Sequence, residues 1–295
     1  MSFDIYAAVT DRIIAELEKG QIPWKKPWTG SRAGAISHAS GKPYSLLNQM
    51  LLMAPGEYVT YKQAQDEGGN VKKGAKSKIV VFWKMLDKQK TGSDGAPIVD
   101  KDGSPVLSSI PYLQYYNVFH LSDCENVAPK WEAPDGEPLP NAAQIDAKAS
   151  AIFADYLQRS GVSFAESKQD EAFYAPGRDM ISLPLMEQFT GTAEYYSTAF
   201  HEATHSTGHK KRLDRFDPSV VSAAFGSQDY SKEELIAEIG ASAILNEIGL
   251  ETPDSFRNSA AYIQSWLKSL RNDKKLIVSA AGKAEHAIKL ILNPA

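Results

Sequence analysis

Residues 201–205 read His-Glu-Ala-Thr-His, an H-E-x-x-H pattern. Helix positions four apart share a face, so the imidazoles of His201 and His205 can meet a single metal ion. Glu202 flanks such a site, where a carboxylate can take a proton from a water and pass it to a leaving amine. With 6 His and 18 Glu in 295 residues, chance yields the pattern about 0.007 times per chain of this composition. The segment therefore predicts a metal-binding helix, buried through Tyr195, Tyr196 and Phe200 and ended near Gly208.

Two histidines need a third protein ligand. The metzincin continuation H-E-x-x-H-x-x-G-x-x-H matches at Gly208 but places Lys211 at the last position, and a lysine does not ligate there. His209 directly follows the terminating glycine and so leaves the ligand face. The better source is Tyr230–Ala241, YSKEELIAEIGA, where Ser231 and Glu234 have the spacing of a capping box. Leu235, Ile236, Ile239, Ile244, Leu245 and Ile248 form its apolar stripe, and Glu234 and Glu238 lie four apart on one face. The segment is similar to the E-x-x-x-D/N pattern of gluzincin-type enzymes, with Glu238 in the last place. Glu234 is the expected ligand and Glu238 the partner behind a ligating histidine, with Glu238 as ligand the open alternative. Zinc or another divalent cation is the expected cofactor.

Other features surround this site. Phe173–Pro184 contains a Pro-Gly turn and an alternating strand, either an edge for an extended peptide or an ordinary antiparallel hairpin. Tyr230 is a candidate oxyanion donor, and the loop Leu213–Tyr230 is placed to cover the cleft. The HKKR run at 209–212 suits a helix C-terminus or extends a polyanion path.

Charge divides the chain. The net −4 combines 16 Lys+Arg against 13 Asp+Glu in residues 1–130 with 16 against 23 in the remainder. Lys62, Lys72, Lys73, Lys76, Lys78, Lys84, Lys88 and Lys90 crowd residues 62–90, which suggests a polyanion site on one half only. Trp24, Trp28, Tyr58, Tyr61, Trp83, Tyr112, Tyr115 and Tyr116 interleave with lysines. Either these rings are core and the lysines a solvated face, or the pairing serves unpaired nucleic acid, with cations on phosphates and rings on bases. Trp24, Lys25, Lys26, Trp28, Tyr61, Lys72, Lys73, Lys76 and Trp83 are the candidate DNA-binding residues.

The expected fold class is α+β in two domains. Residues 1–128 form a small α+β domain: helices over 4–19 and 44–54, strands over 78–84 and 111–124, and a hairpin tip at 91–105. Residues 129–142, with Pro129, Pro134, Pro138 and Pro140, read as a linker. Residues 143–295 form a mainly helical metallopeptidase-like domain with a small antiparallel sheet. At 10% aromatic residues the chain collapses rather than staying disordered. No run approaches the ~20 apolar residues of a membrane span. Cys124 is the only cysteine, so no internal disulfide forms. The acidic N-terminus lacks signal-peptide pattern, so a cytoplasmic location is expected.

The combined motifs resemble the ArdC-type antirestriction proteins of conjugative plasmids. In the first half the resemblance rests on IIAELEKGQIPWKKPW, SGKPYSLLNQMLL, VTYKQAQDEGGNVKKGAKSKIVVFWK and YYNVFHLSDCENV. In the second half it rests on YAPGRDMISLP, YYSTAFHEATHSTGHKKRL and YSKEELIAEIGASAIL. It implies a single-stranded-DNA-binding domain joined to a zincin-like metallopeptidase domain, and protection of incoming plasmid DNA from host restriction. A protein of the host restriction machinery is the implied peptidase substrate. The alternative is a non-enzymatic DNA-coating protein whose metal is structural.

Overall fold

The apolar stripe of the first helix folds as its spacing predicts. In α1 (Ile5–Glu18), Val9, Ile13, Ile14 and Leu17 are buried, and Gly20 follows at φ 75°. The computed structural model describes residues 3–25, 34–131, 142–216, 228–250 and 259–292. Its backbone divides into two compact units, 1–5 with 58–127 and 6–57 with 128–295. The chain passes between the units at Ile5–Tyr6, Glu57–Tyr58 and Val127–Ala128, so nearly all of α1 groups with the second half. Burial is the reason: Thr10 Oγ1 donates to the Lys274 carbonyl at 2.7 Å, and Trp24 packs edge-on against Trp266. Most of the expected linker, 132–141, lies outside the described residues.

In the first unit, β2 (Gly56–Thr60) leads through the Thr60–Gln63 capping box into α3 (Tyr61–Asp66). The strand β4 (Lys78–Gln89) is longer than expected, β5 (Leu107–His120) lies four residues earlier than expected, and the two pair antiparallel without interruption from Lys78↔Val118 to Gln89↔Leu107. β2 flanks β5 on its other side. A second short pair joins β3 (Asn70–Val71) to β6 (Cys124–Glu125). Residues 91–105 form the expected tip, with bridges Thr91↔Pro97 and Val99↔Pro105. One core cluster here is built on Val59, Ala64 and Cys124, and Tyr58, Val80, Val81, Leu113 and Val118 are buried as well. Beyond it the β4–β5 ribbon carries exposed apolar side chains, among them Trp83, Met85, Leu86 and Ile110.

The second unit begins with α1 and continues through β1 (Ala35–Ser37) and α2 (Leu46–Leu52). It contains α4 (Ala142–Ser160), β7 (Ser163–Ser167), β8 (Phe173–Ala175), β9 (Met180–Pro184), α5 (Thr192–Ser206), α6 (Gln228–Ile248), α7 (Ser259–Asn272) and α8 (Leu276–Leu292). The sheet order is β7-β9-β8, with β8 antiparallel and β7 parallel to β9. This corrects two expectations. The small sheet is mixed rather than antiparallel, because the 173–184 hairpin inserts its second strand beside β7. That strand is also central, with Ile181 and Leu183 fully buried, so its backbone groups are already paired and cannot receive a peptide.

A third correction concerns the start of α6. The helix begins at Gln228 rather than at Ser231, so Ser231 lies inside it and does not act as the expected cap. α5 and α6 share a core of Tyr195, Tyr196, Ala199, Phe200, Ala203, Ala241, Ile244, Leu245 and Ile248. They approach closely at Gly240, where an added Cβ would lie 2.6 Å from Thr204 Cγ2. Thr204 is fully buried and its hydroxyl donates to the Phe200 carbonyl, so it cannot swing away. Gly240→Ala is therefore expected to destabilise the protein by about 1–3 kcal/mol through overpacking. Thermal melting should show that loss, and Thr204→Ser, which removes only the crowded methyl, should restore part of it.

Candidate metal centre

α5 presents His201 and His205 from successive turns of one face. Across the Gly240 contact, α6 presents Glu234. The two Nε2 atoms stand 3.1 Å apart, His205 Nε2 lies 3.2 Å from Glu234 Oε1, and His201 Nε2 lies 3.5 Å from Glu234 Oε2. Bonds of 2.0–2.1 Å to a tetrahedral ion place adjacent ligand atoms about 3.3–3.4 Å apart. Two imidazoles and one carboxylate at these separations fit three corners of such a site. Among the described residues they are the set whose donor atoms converge as a metal centre requires. His209 turns away, with Nδ1 3.6 Å from Asp179 Oδ2.

Each histidine has a carboxylate behind it. Glu238 Oε2 is 3.7 Å from His201 Nδ1, and Glu233 Oε1 is 3.6 Å from His205 Nδ1. Each of these carboxylates is in turn held by a cation: Lys25 Nζ lies 2.6 Å from Glu238, and an Arg215 guanidinium nitrogen lies 2.6 Å from Glu233. Glu202 is buried beside the histidines, and both rings feel its charge. Glu202, Glu233, Glu234 and Glu238 thus oppose Lys25 and Arg215, leaving two negative charges when both imidazoles are neutral. One divalent cation balances them.

The same imbalance acts on the imidazoles. Burial favours neutral rings, but Glu233 and Glu234 outweigh it at His205 and push its pKa up to about 10. His201 is raised too, with Glu234 overcoming burial. Glu234 is held well below the ordinary carboxylate range, its burial outweighed by the two rings. Glu233 shifts the same way, because His205 and Arg215 outweigh burial.

The turn after α5 is locked by arginines. Arg212 donates to the Ser206 carbonyl at 2.7 Å, and Arg215 donates to the Thr204 carbonyl at 2.9 Å and to Thr207 Oγ1 at 2.6 Å. Cations thus satisfy the last carbonyls of the metal helix. Gly208 lies under the Phe216 ring, where a Cβ would approach to 2.7 Å. Arg212 also pairs with Asp179, which accepts a 2.8 Å hydrogen bond from Tyr174. Glu233, Arg215 and Asp179 were not singled out in the sequence. Only the place of Glu233 directly before Glu234 in the sequence could have suggested it.

The expected DNA-binding residues separate. Trp24 is 2% exposed and stacked edge-on against Trp266, so no base can reach it. Lys25 is engaged by Glu238. Lys26 and Trp28 lie outside the described residues, as does the Tyr230 side chain. Tyr61, Lys72, Lys73, Lys76 and Trp83 are all exposed in the first unit, and Lys72 donates to the Ser122 carbonyl at 2.7 Å. The β4–β5 register adds a pattern that spacing alone did not reveal. Paired residues share a face, so Lys78, Lys84 and Lys88 lie with Phe82, Tyr112 and Tyr116, while Trp83 shares the opposite face with Asp87. Phe82 and Tyr116 stack at 4.8 Å and 8°.

Comparison with known proteins matches two family models along the chain. Residues 3–119 match the model of the N-terminal domain of anti-restriction factor ArdC, and residues 151–283 match a zincin-like metallopeptidase model. The crystal structure of antirestriction ArdC protein from the R388 plasmid is similar in its metal-free form at TM-score 0.71 and 34% identity, covering 98% of this chain and 97% of that one. Its Mn(II)-bound form is similar at the same TM-score and identity, covering 99% and 98%. The chain belongs to the ArdC antirestriction family. It is also 31% identical to the uncharacterized protein y4eC of Sinorhizobium fredii (strain NBRC 101917 / NGR234), over 96% of this chain and 89% of that protein. Its 35% identity to DNA primase TraC of Escherichia coli covers 95% of this chain but only 19% of that protein. The ArdC family relationship thus spans both halves, and no helix among the described residues is long and apolar enough to cross a membrane.

The Asp179–Arg212 pair carries a pH prediction. Burial would raise the Asp179 carboxyl, but Arg212 and Tyr174 outweigh it and hold it below the ordinary carboxylate range. Its contribution is complete above about pH 4 and is lost as pH falls through the depressed value. Asp179→Asn tolerates the φ of 48° at this position but loses the charge on Arg212. It should lower stability near pH 7 by ~1–3 kcal/mol, and the gap to wild type in denaturant melts should close below about pH 4.

Proposed function

We propose that this chain is an antirestriction protein that binds single-stranded DNA through its first unit and cleaves peptide bonds at a zinc-type centre in its second. Its role is to protect incoming conjugative plasmid DNA from host restriction in the cytoplasm, and its peptidase substrate is a protein of the host restriction machinery. The observation that carries the enzymatic part is the convergence of His201, His205 and Glu234 at 3.1–3.5 Å with Glu202 buried alongside.

His201, His205 and Glu234 are the residues that hold the ion. A divalent ion there supplies Lewis acidity toward a carbonyl and a water. Glu202 accepts the proton of the attacking water and delivers it to the amine nitrogen as the peptide bond breaks. Glu238 and Glu233 orient the two imidazoles through Nδ1. The wild-type chain should take up Mn(II) or Zn(II) stoichiometrically, and His201→Ala and His205→Ala should lose it, as metal analysis after dialysis will report. Because His205 keeps a proton to about pH 10 without an ion, uptake displaces that proton, and affinity should rise about tenfold per pH unit through the neutral range. Glu202→Gln should keep the ion and lose ~10²–10⁴-fold in peptide hydrolysis. Retained hydrolysis would remove the role of Glu202, and unchanged plasmid protection in this variant would favour the structural-metal reading.

For DNA, the exposed lysines of the first unit and the Phe82–Tyr112–Tyr116 face support a path on which phosphates meet cations and bases meet rings. Tyr116 is 56% exposed and free to accept a base. Fluorescence anisotropy should show binding to unpaired oligonucleotides that weakens as salt rises. Lys84→Ala and Lys88→Ala should each reduce the log–log salt slope by about 0.7. Preference for duplex, or indifference to salt, would reject this path.

A further inference from the structure

The metal centre includes a residue from far outside the segment that resembles a metallopeptidase. Ile22, Pro23 and Trp24 are buried in the second unit, and the Trp24 carbonyl accepts a hydrogen bond from Asn246 Nδ2 at 3.4 Å. Asn246 and Glu238 lie eight residues apart on α6, about 12 Å along its axis. Trp24 therefore docks the segment at one point of α6, and Lys25 reaches the other. Its ammonium sits 2.6 Å from Glu238 Oε1, with the two side chains 13% and 21% exposed. The second oxygen of Glu238 is the one that faces His201 Nδ1, while Nε2 of that ring faces His205 and Glu234.

We propose that Lys25 is a positioning residue of the metal centre, fixing Glu238 so that Glu238 orients the His201 ring and stays behind it instead of competing with Glu234 as a ligand. The proposal rests on the metal-binding reading above. The opposite histidine supplies an internal parallel. Arg215 holds Glu233, and Glu233 faces His205 Nδ1. Both rings are thus backed by a carboxylate and a cation, one cation from the turn after α5 and one from the N-terminal segment. A carboxylate without its cation has no reason to keep one rotamer, and a ring behind a mobile carboxylate loses its fixed direction.

Through-space charge works against this effect, so the test must separate the two. Removing the Lys25 charge makes the centre more negative and by itself favours a dication. A double-mutant cycle cancels that term, because the charge effect of Lys25→Met is common to both backgrounds while orientation through Glu238 exists only in one. Mn(II) affinity is measured by calorimetry on the full chain, for wild type, Lys25→Met, Glu238→Gln and the double variant. Melting curves verify the fold, Lys25→Gln provides a second cycle, and His201→Ala serves as the control without a site. The ratio of variant to parent affinity for Lys25→Met should be about tenfold lower in the wild-type background than in the Glu238→Gln background. Lys25→Arg should remain within about threefold of wild type, since it keeps both charge and contact. Equal effects of Lys25→Met in the two backgrounds would overturn the proposal while leaving the metal site standing. Wild type that binds no Mn(II), or His201→Ala that binds it equally well, would remove the metal reading and this proposal together.

Discussion

Four carboxylates crowded around two imidazoles are unstable without positive charge, and the second unit is organised around supplying it. Glu233 and Glu238 have Arg215 and Lys25. Glu234 faces the two histidines and Glu202 is buried beside them, and these carboxylates raise both rings against the effect of burial. A low-dielectric pocket with an uncompensated charge of minus two is a strong electrostatic trap for a dication. Metal selectivity is a separate matter of ligand type and geometry, and two nitrogens with one oxygen suit several first-row ions.

That charge cluster depends on packing. Imidazole and carboxylate side chains are short, so the backbones of α5 and α6 must come close for them to meet. Gly240 under Thr204 permits the approach, and the alanines at 199, 203, 237 and 241 keep the rest of the interface thin. The arginines that cap α5 fasten the same arrangement from outside. Arg212 joins the end of α5 to α4 and to the turn before β9, through the Ser160 carbonyl and Asp179. The scaffold is therefore preorganised, and an ion need not draw its ligands together against strain.

The first unit has the opposite character. Several of its large apolar side chains, among them Trp83, Met85, Leu86, Ile110 and Tyr116, lie exposed on the β4–β5 ribbon. The register places the three strand lysines on one face of that ribbon and Asp87 on the other. The TraC relative, of which this chain spans about a fifth, carries the matching region within a much longer protein.

Local chemistry was legible in the sequence because helical spacing is rigid. Residues four apart must share a face, so His201 with His205 and Glu234 with Glu238 could be paired before any tertiary contact was known, and α1, β4 and β5 followed from their apolar periodicity. Long-range partnerships left no such trace. Nothing in WKK says that Trp24 is core and Lys25 an ion-pair partner, because a tryptophan beside a lysine looks the same facing a base or facing another tryptophan. Nothing in YSKEE says that the helix starts three residues early, which spends Ser231 inside it and frees Glu234 for the histidines. The parallel pairing of β7 with β9, the cation behind each carboxylate and the close approach at Gly240 arise only when distant segments fold onto one another. Sequence determines which faces exist; which faces meet, and therefore which charges are neutralised, is decided by the tertiary packing.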